Sequence, residues 1–252
     1  MARQLSIVKL KGTIGGINFY RSMDGFMARE KGGVDASRIA TDPSFQRTRE
    51  NGTEFGAACS AGKVLRVALR ALLQNVSDTR MVSRLAQSMT QVIKADKTSV
   101  RGQRNVIDGE AELLKDFDFN INGLLSMCLF APFTSTIDRA AGTLKVSIAP
   151  FNPKVLITAP DGATHFKIVA AGTEVDFENE TNVTDSKESD MLPLDATITA
   201  ALELSTSVTP ASKHPLFIAL GIEFYQDVNG EKYSLKNGAF NALKLVKVDG
   251  GV

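Results

Sequence analysis

Between residues 5 and 30, apolar and polar positions alternate in short runs: LSIVKL at 5–10, INFYRS at 17–22 and FMARE at 26–30. A period of two predicts strands, because successive side chains of a strand point to opposite faces. The interruptions, KGTIGG and MDG, are rich in turn residues, so the segment reads as an N-terminal β-hairpin. KGGVDASRIATD at 31–42 has neither period and reads as a loop.

The period then changes. Asp42-Pro43 combines a favoured N-cap with a residue preorganised for the first helical turn. Phe45, Phe55, Ala58, Val64, Leu65, Ala68, Leu69 and Leu72 follow near helical spacing to about residue 76. Gly52, Gly56 and Gly62 weaken this helix and mark either a break or a close crossing with a second one. The second helix, capped by Ser77 or Asp78, carries Met81, Val82, Leu85, Met89, Val92 and Ile93 on one stripe. A third, shorter helix is expected over VIDGEAELLKDF at 106–117.

Beyond DFNINGLL the period returns to two. Strands are expected over GTLKVSIAP, KVLITAP, ATHFKIVAAG, TEVDF, ATITAALELS, LFIALGIEFYQDV, EKYSL and NALKLVKV. Asn229-Gly230 is a two-residue hairpin signal between two of them. ENETNVTDSKESD at 178–190 is acidic, lacks apolar periodicity, and is expected to be a long exposed loop. The fold class is therefore α+β: an N-terminal β-hairpin and helical subdomain followed by an antiparallel β-sandwich or partly closed barrel. The expected domains are 1–120, basic, hairpin plus helices, and 121–252, acidic and sandwich-like.

With 252 residues, 43% hydrophobic and 23% charged, the chain can bury a core of ordinary globular type. No eighteen-residue apolar run suggests a membrane span, and no membrane partner is expected. MARQLSIVKLKG lacks the apolar centre and cleavage site of a secretory signal, so the expected location is cytoplasmic. Cys59 and Cys128, far apart in apolar company, read as small core residues and not as a disulfide.

Charge changes the picture more than composition does. Residues 1–104 hold 18 Lys and Arg against 8 Asp and Glu, whereas residues 105–252 hold 11 against 20, so the net charge of +1 conceals a split of +10 and −9. Twelve of the 13 arginines precede residue 105. Lys63, Arg66 and Arg70 share a helix face at i, i+3 and i+7. Arg80 and Arg84 lie one turn apart on the next helix, with Arg101 and Arg104 after it. Arg47 and Arg49 stand near a helix start, where the dipole disfavours cations. Arginine's planar fork suits phosphates and carboxylates, so these nine residues are the candidate site for nucleic acid or an acidic partner. Solvated helix faces with local ion pairs are the plainer reading.

Reaction chemistry finds less support. Gly12, Gly15 and Gly16 do not form a phosphate loop, because strand-like INFYRS and not a helix follows them. Gly12-Thr13-Ile14-Gly15 matches the Gly-x-x-Gly loop of KH domains in spacing but not in its helical setting. His165 and His214 lie far from each other in sequence and read as a polar strand position and the residue leading into a strand. No nucleophile elbow is present, and acid pairs such as Asp116/Asp118 and Glu178/Glu180 look like solvated surface. The expectation is a protein that is not an enzyme and uses no cofactor or metal.

GTIGGINFYRSMDGFMAREKGG and the helix FQRTRENGTEFGAACSAGKVLR together resemble a bacterial protein family of the Bacteroidota type with no known activity, over roughly the first 120 residues. The resemblance implies a bacterial cytoplasmic origin and carries no functional residues. Two functions are expected from the residues themselves. The first is a self-assembling structural subunit of a helical filament, tube or shell, of phage-like descent, growing by head-to-tail contacts between unlike surfaces. The alternative is a nucleocapsid-like packaging protein gripping RNA or DNA through the arginines. A β-sandwich module for a carbohydrate or protein ligand is a third reading, which Tyr20, Tyr225 and Tyr233 do little to support.

Overall fold

A computed structural model describes residues 2–76 and 78–251, and for Lys236 and Asn237 the backbone alone. The chain divides into two compact units, Met1–Arg49 and Glu50–Val252.

The first unit is an antiparallel sheet of β1 (Ala2–Arg3), β2 (Gly12–Ile14), β3 (Ile17–Ser22) and β4 (Gly25–Glu30), in the order β1-β4-β3-β2. Ile14 faces Ile17 across the Gly15-Gly16 turn, and Gly15 takes φ 58°, which a glycine adopts without strain. The expected hairpin is thus present, but LSIVKL is not a strand. The Gln4 side chain accepts from the Leu10 N–H and donates to the carbonyls of Leu10 and Met27, gathering residues 5–10 into a loop with no strand beside it. Within the expected loop, Asp35 caps a short helix α1 (Ala36–Thr41) by accepting from the Ser37 N–H at 2.8 Å. Asp42 does the same for Ser44 at the 3-10 turn Pro43–Phe45, as its sequence foretold. None of the described residues of this unit is buried.

The helix α2 (Gln46–Ala68) runs unbroken past Gly52, Gly56 and Gly62. Gly62 packs against Leu85 and Met89 of the next helix, where an added Cβ would make ordinary contact at 3.6 Å, so the crossing is near but does not demand a glycine. The path bends at Leu69 and continues as α3 (Arg70–Leu73), followed by α4 (Met81–Lys94). Ser77, one expected cap of α4, lies outside the described residues. Asp78 accepts from the Arg80 N–H at 2.7 Å just before the helix. The third expected helix is only a 3-10 turn, Ala111–Leu114. It ends at Lys115, whose backbone leaves the helical region (ψ 143°), and Asp116 takes φ 69°.

There follow α5 (Leu125–Cys128), β5 (Phe133–Asp138), β6 (Thr143–Ile148), α6 (Pro153–Leu156), β7 (His165–Asp176), β8 (Thr181–Glu188), β9 (Leu192–Pro193), β10 (Leu202–Ser207), β11 (Leu216–Val228), β12 (Glu231–Ser234) and β13 (Ala242–Asp249). Two expectations fail here. KVLITAP is not a strand, because Asn152 caps Lys154 and Pro153 starts the helical turn α6. The acidic stretch 178–190 is not a loop but carries β8, paired with β7 from Val169↔Glu188 to Asp176↔Thr181. TEVDF is the end of β7 and not a separate strand. Asn229 and Gly230 take φ 56° and 89°, a type I′ turn joining β11 to β12.

The long strands β7 and β11 pair over ten residues and form the middle of a curled antiparallel sheet of six strands. Their near-continuous apolar runs follow from burial on both faces. One face carries Val169, Ala171, Val175, Phe217 and Ala219 and packs under α2 and α4, against Leu65, Leu69, Leu85 and Met89. The other carries Phe166, Ile168, Leu216, Ile218 and Leu220 and packs on the three-stranded sheet β10-β6-β5 through Leu144, Val146 and Leu204. The unit thus has three layers: helices, large sheet and small sheet. The class α+β holds, and two stacked sheets agree with a sandwich.

Candidate interaction surfaces

The nine expected cationic residues divide by what holds them. Arg49 turns inward and donates from Nη1 to the carbonyls of Ile39 (2.6 Å) and Asp42 (3.0 Å), closing α1 against the chain that follows. Arg84 is the centre of a knot: Nη2 reaches Asp78 Oδ2 at 2.6 Å, Nη1 donates to the Asp118 carbonyl at 2.8 Å, and the guanidinium lies over the Phe117 ring. Burial works against the Asp78 carboxylate. The Arg80 N–H, the Arg84 guanidinium and the Ile121 N–H outweigh it and hold its pKa below the ordinary carboxylate value. At neighbouring Asp118 burial wins and pushes the pKa up, against the Leu125 N–H and the charges of Lys244 and Arg84. Arg101 bonds Asn51 at 2.8 Å and stands 3.6 Å from Glu50. Arg104 is half-buried.

The other five face solvent to different degrees. Arg47, Lys63, Arg70 and Arg80 are exposed and Arg66 is half-buried. None of their side chains makes an ion pair with a described residue. Lys63 and Arg66 stand together on a cleft of about 320 Å³ between α2 and α4, floored by Gly56, Gly62 and Ala86. The sequence expectation that Lys63 and Arg66 share a face therefore corresponds to a real surface, whereas Arg84 and Arg49 are structural.

The acidic half is arranged differently. Its anions gather on the β7–β8 hairpin: residues 174–190 hold seven Asp and Glu and a single Lys. Glu174 is buried and accepts from Ser212 Oγ at 2.6 Å. In the turn, the Asn179 side chain and N–H and the Glu178 N–H satisfy Asp176 and, despite some burial, hold its pKa below the ordinary value. Glu180 accepts from Ser60 Oγ at 2.8 Å. Along β8, Asp185 pairs with Lys187 and Glu188 with Lys167, and six of the strand's eight residues are exposed. No residue pattern announced this surface, because an edge strand wet on both faces has no apolar period to find.

A third surface is apolar. Ile121, Leu124, Met127, Cys128 and Phe240 line a groove of about 430 Å³, beside exposed Phe130. Burial, helped by Asp118, pushes the Cys128 thiol up, which keeps it protonated and a poor nucleophile. Cys59 and Cys128 are both free thiols, half-buried and not fully in the core. His214 stands 3.7 Å from Asp176, and His165 Nδ1 meets Thr164 Oγ1 at 2.9 Å. Asp116 pairs with Lys244 at 3.0 Å. Among the described residues no group of three or more His, Cys, Asp and Glu converges as metal ligands, and no helix is long and apolar enough to cross a membrane. Compared with protein families, curated proteins and solved structures, the chain matches none.

Proposed function

We propose that the protein is a structural subunit that assembles with copies of itself through unlike, oppositely charged surfaces, as in a filament, tube or shell. The observation that carries this reading is the pairing pattern of the charges. In each of ten ion pairs both partners come from the same half of the sequence, 1–104 or 105–252. Arg84 meets Asp78 and Arg101 meets Glu50, while Lys145, Lys167 and Lys244 meet Glu203, Glu188 and Asp116. The two halves are tied instead by apolar packing of α2 and α4 on the large sheet and by neutral-donor bonds such as Asn75 to Glu223 at 2.8 Å. Among the described residues no ion pair joins the +10 half to the −9 half, which supports a reading in which surfaces of contrary sign are left for a neighbour. Unlike surfaces that meet head to tail propagate, whereas like-to-like contacts close. Negative-stain microscopy and light scattering at low and high salt test this. Ordered polymers that loosen as salt screens the contacts are expected. A monomer at every protein concentration and ionic strength overturns it.

The unpaired Arg47, Lys63, Arg66, Arg70 and Arg80 favour a second reading, a coat that holds RNA or DNA by its phosphates. Its signature is absorbance at 260 nm in purified assemblies, since a chain with no Trp and three Tyr absorbs little of its own. Assemblies free of nucleic acid that also take up none when it is supplied exclude it.

A further inference from the structure

The first unit is unfinished as a folded object. The loop before β2 carries Leu5 (86% exposed), Ile7 (100%) and Val8 (68%) on the outside, and β2 itself carries Ile14 (62%). Among the described residues, eight of the 22 exposed large apolar side chains fall in the first 49 positions. A small sheet needs an apolar face covered by something to be stable. Its outermost strand, β2, pairs with β3 on one side and with no described backbone group on the other. The stretch before β2, Leu5 to Leu10, is rich in β-forming apolar residues, yet has no strand beside it.

The second unit offers a matching edge. In β8 the backbone bonds only to β7, so its outward N–H and C=O groups have no described backbone partner. Ser207 N–H, on neighbouring β10, reaches the Asp185 side chain at 3.1 Å. Val183 is 46% exposed on this edge. The two edges differ in sign. Residues 2–31 hold six Lys and Arg against two Asp and Glu, with Lys9 and Lys11 next to β2. Residues 174–190 hold seven acids and one Lys. Acidic side chains on an edge deter indiscriminate pairing, because another acidic or apolar strand would meet buried charge. A basic strand does not meet that penalty.

We infer that the β2 edge of one copy adds to the β8 edge of a second copy, extending the large sheet by strand addition and recruiting residues 5–11 as a longer strand. The inference rests on the self-assembly reading and names its contact. Backbone hydrogen bonds supply the attachment, Lys9 and Lys11, which share one face of the added strand, meet Asp185 and select the partner, and Ile14 gains cover beside Val183. Donor and acceptor edges are different surfaces of one chain, so the contact leaves a free edge of each kind at the two ends and does not close on itself as a two-fold dimer would.

The test mixes two forms of the full chain, both with Cys59→Ser and Cys128→Ser and distinguishable by a tag. One carries Ile14→Cys, the other Val183→Cys or, to allow for register, Asp185→Cys. A short bis-maleimide should link the two forms into a species of twice the 27.1 kDa chain mass. Lys9→Glu with Lys11→Glu in the donor should cut that yield about tenfold, through like charges at the contact. Asp185→Lys in the Val183→Cys acceptor should restore it. Polymers that form without any mixed cross-link, or a link found only within one chain, overturn strand addition while leaving self-assembly standing. Loss of bound nucleic acid in the Lys9/Lys11 variant with unchanged cross-linking overturns the assigned role of these lysines. A wild-type chain that stays monomeric defeats the underlying reading itself.

Discussion

The units Met1–Arg49 and Glu50–Val252 are built from similar residue types and reach opposite ends of the burial scale. In the second, β7 and β11 are covered on both faces and Phe166, Phe217 and Phe224 are fully buried. In the first, a four-stranded sheet has no buried described residue. Hydrogen-bonded strands alone therefore do not make a core, because the net gain per hydrogen bond in water is about 1 kcal/mol while ordering each residue costs about as much. On the strand-addition proposal, what the first unit lacks comes from a neighbour, and its tolerance to substitution in the isolated chain tests this.

The largest contrast is expected from apolar truncation. Phe217→Ala removes a ring packed edge-on against Phe177 and should cost about 3–5 kcal/mol in urea unfolding. Ile14→Ala in the isolated chain should change the same transition by less than about 0.5 kcal/mol. Equal losses at both sites would erase the distinction between the units. Next in size is Gly172→Val. Any Cβ at Gly172 runs into Thr206 Oγ1 and the Leu144 side chain, so the two sheets of the second unit must separate, at about 1–3 kcal/mol. An unchanged unfolding midpoint would mean the sheets are not packed at this point.

The Arg84 knot separates charge that holds the fold from charge left for partners. Arg84→Ala leaves Asp78, only 2% exposed in its side chain, without its cation and should cost about 1–3 kcal/mol. Because the folded pKa of Asp78 lies below its ordinary value, the unfolded chain binds the proton first as pH falls. Its contribution is complete above the ordinary value of 3.8 and disappears as pH falls through the folded value. Asp78→Asn should flatten the acid limb of the stability curve measured by circular dichroism, and a limb that keeps its slope would place the proton elsewhere.

Legibility in the sequence followed the same division. The run LFIALGIEFYQDV and the Asn229-Gly230 turn announced β11 and its hairpin within a residue, because two buried faces and a left-handed turn each leave a chemical mark. Strand β8 left none, since Thr, Asn, Ser and charged residues suit a wet edge as well as a loop. In KVLITAP the apolar run looked like a strand, and the decisive signal was the Asn152-Pro153 cap just before it. β5, with the modest alternation FTSTID, passed unnoticed for want of a long apolar side chain at every second place. The charge split could be counted directly. Which arginines were internal could not, because the partners of Arg49 are the carbonyls of Ile39 and Asp42 and those of Arg84 include the Asp118 carbonyl, groups every residue carries.

The smallest effect on folding should accompany the largest change in charge. Lys63 and Arg70 are exposed and pair with no described acid, so Lys63→Glu with Arg70→Glu should move the unfolding midpoint by no more than about 0.5 kcal/mol per site. Exposed charges interact over about 8–10 Å at ordinary salt, and removing a partnerless cation breaks nothing inside the chain. A stable double variant that no longer assembles at low salt would assign these cations to a contact between copies. One that assembles normally but loses absorbance at 260 nm would assign them to nucleic acid. If the double variant unfolds at much lower urea, these cations belong with Arg84, as parts of the fold, and the division between structural and available charge has been drawn in the wrong place.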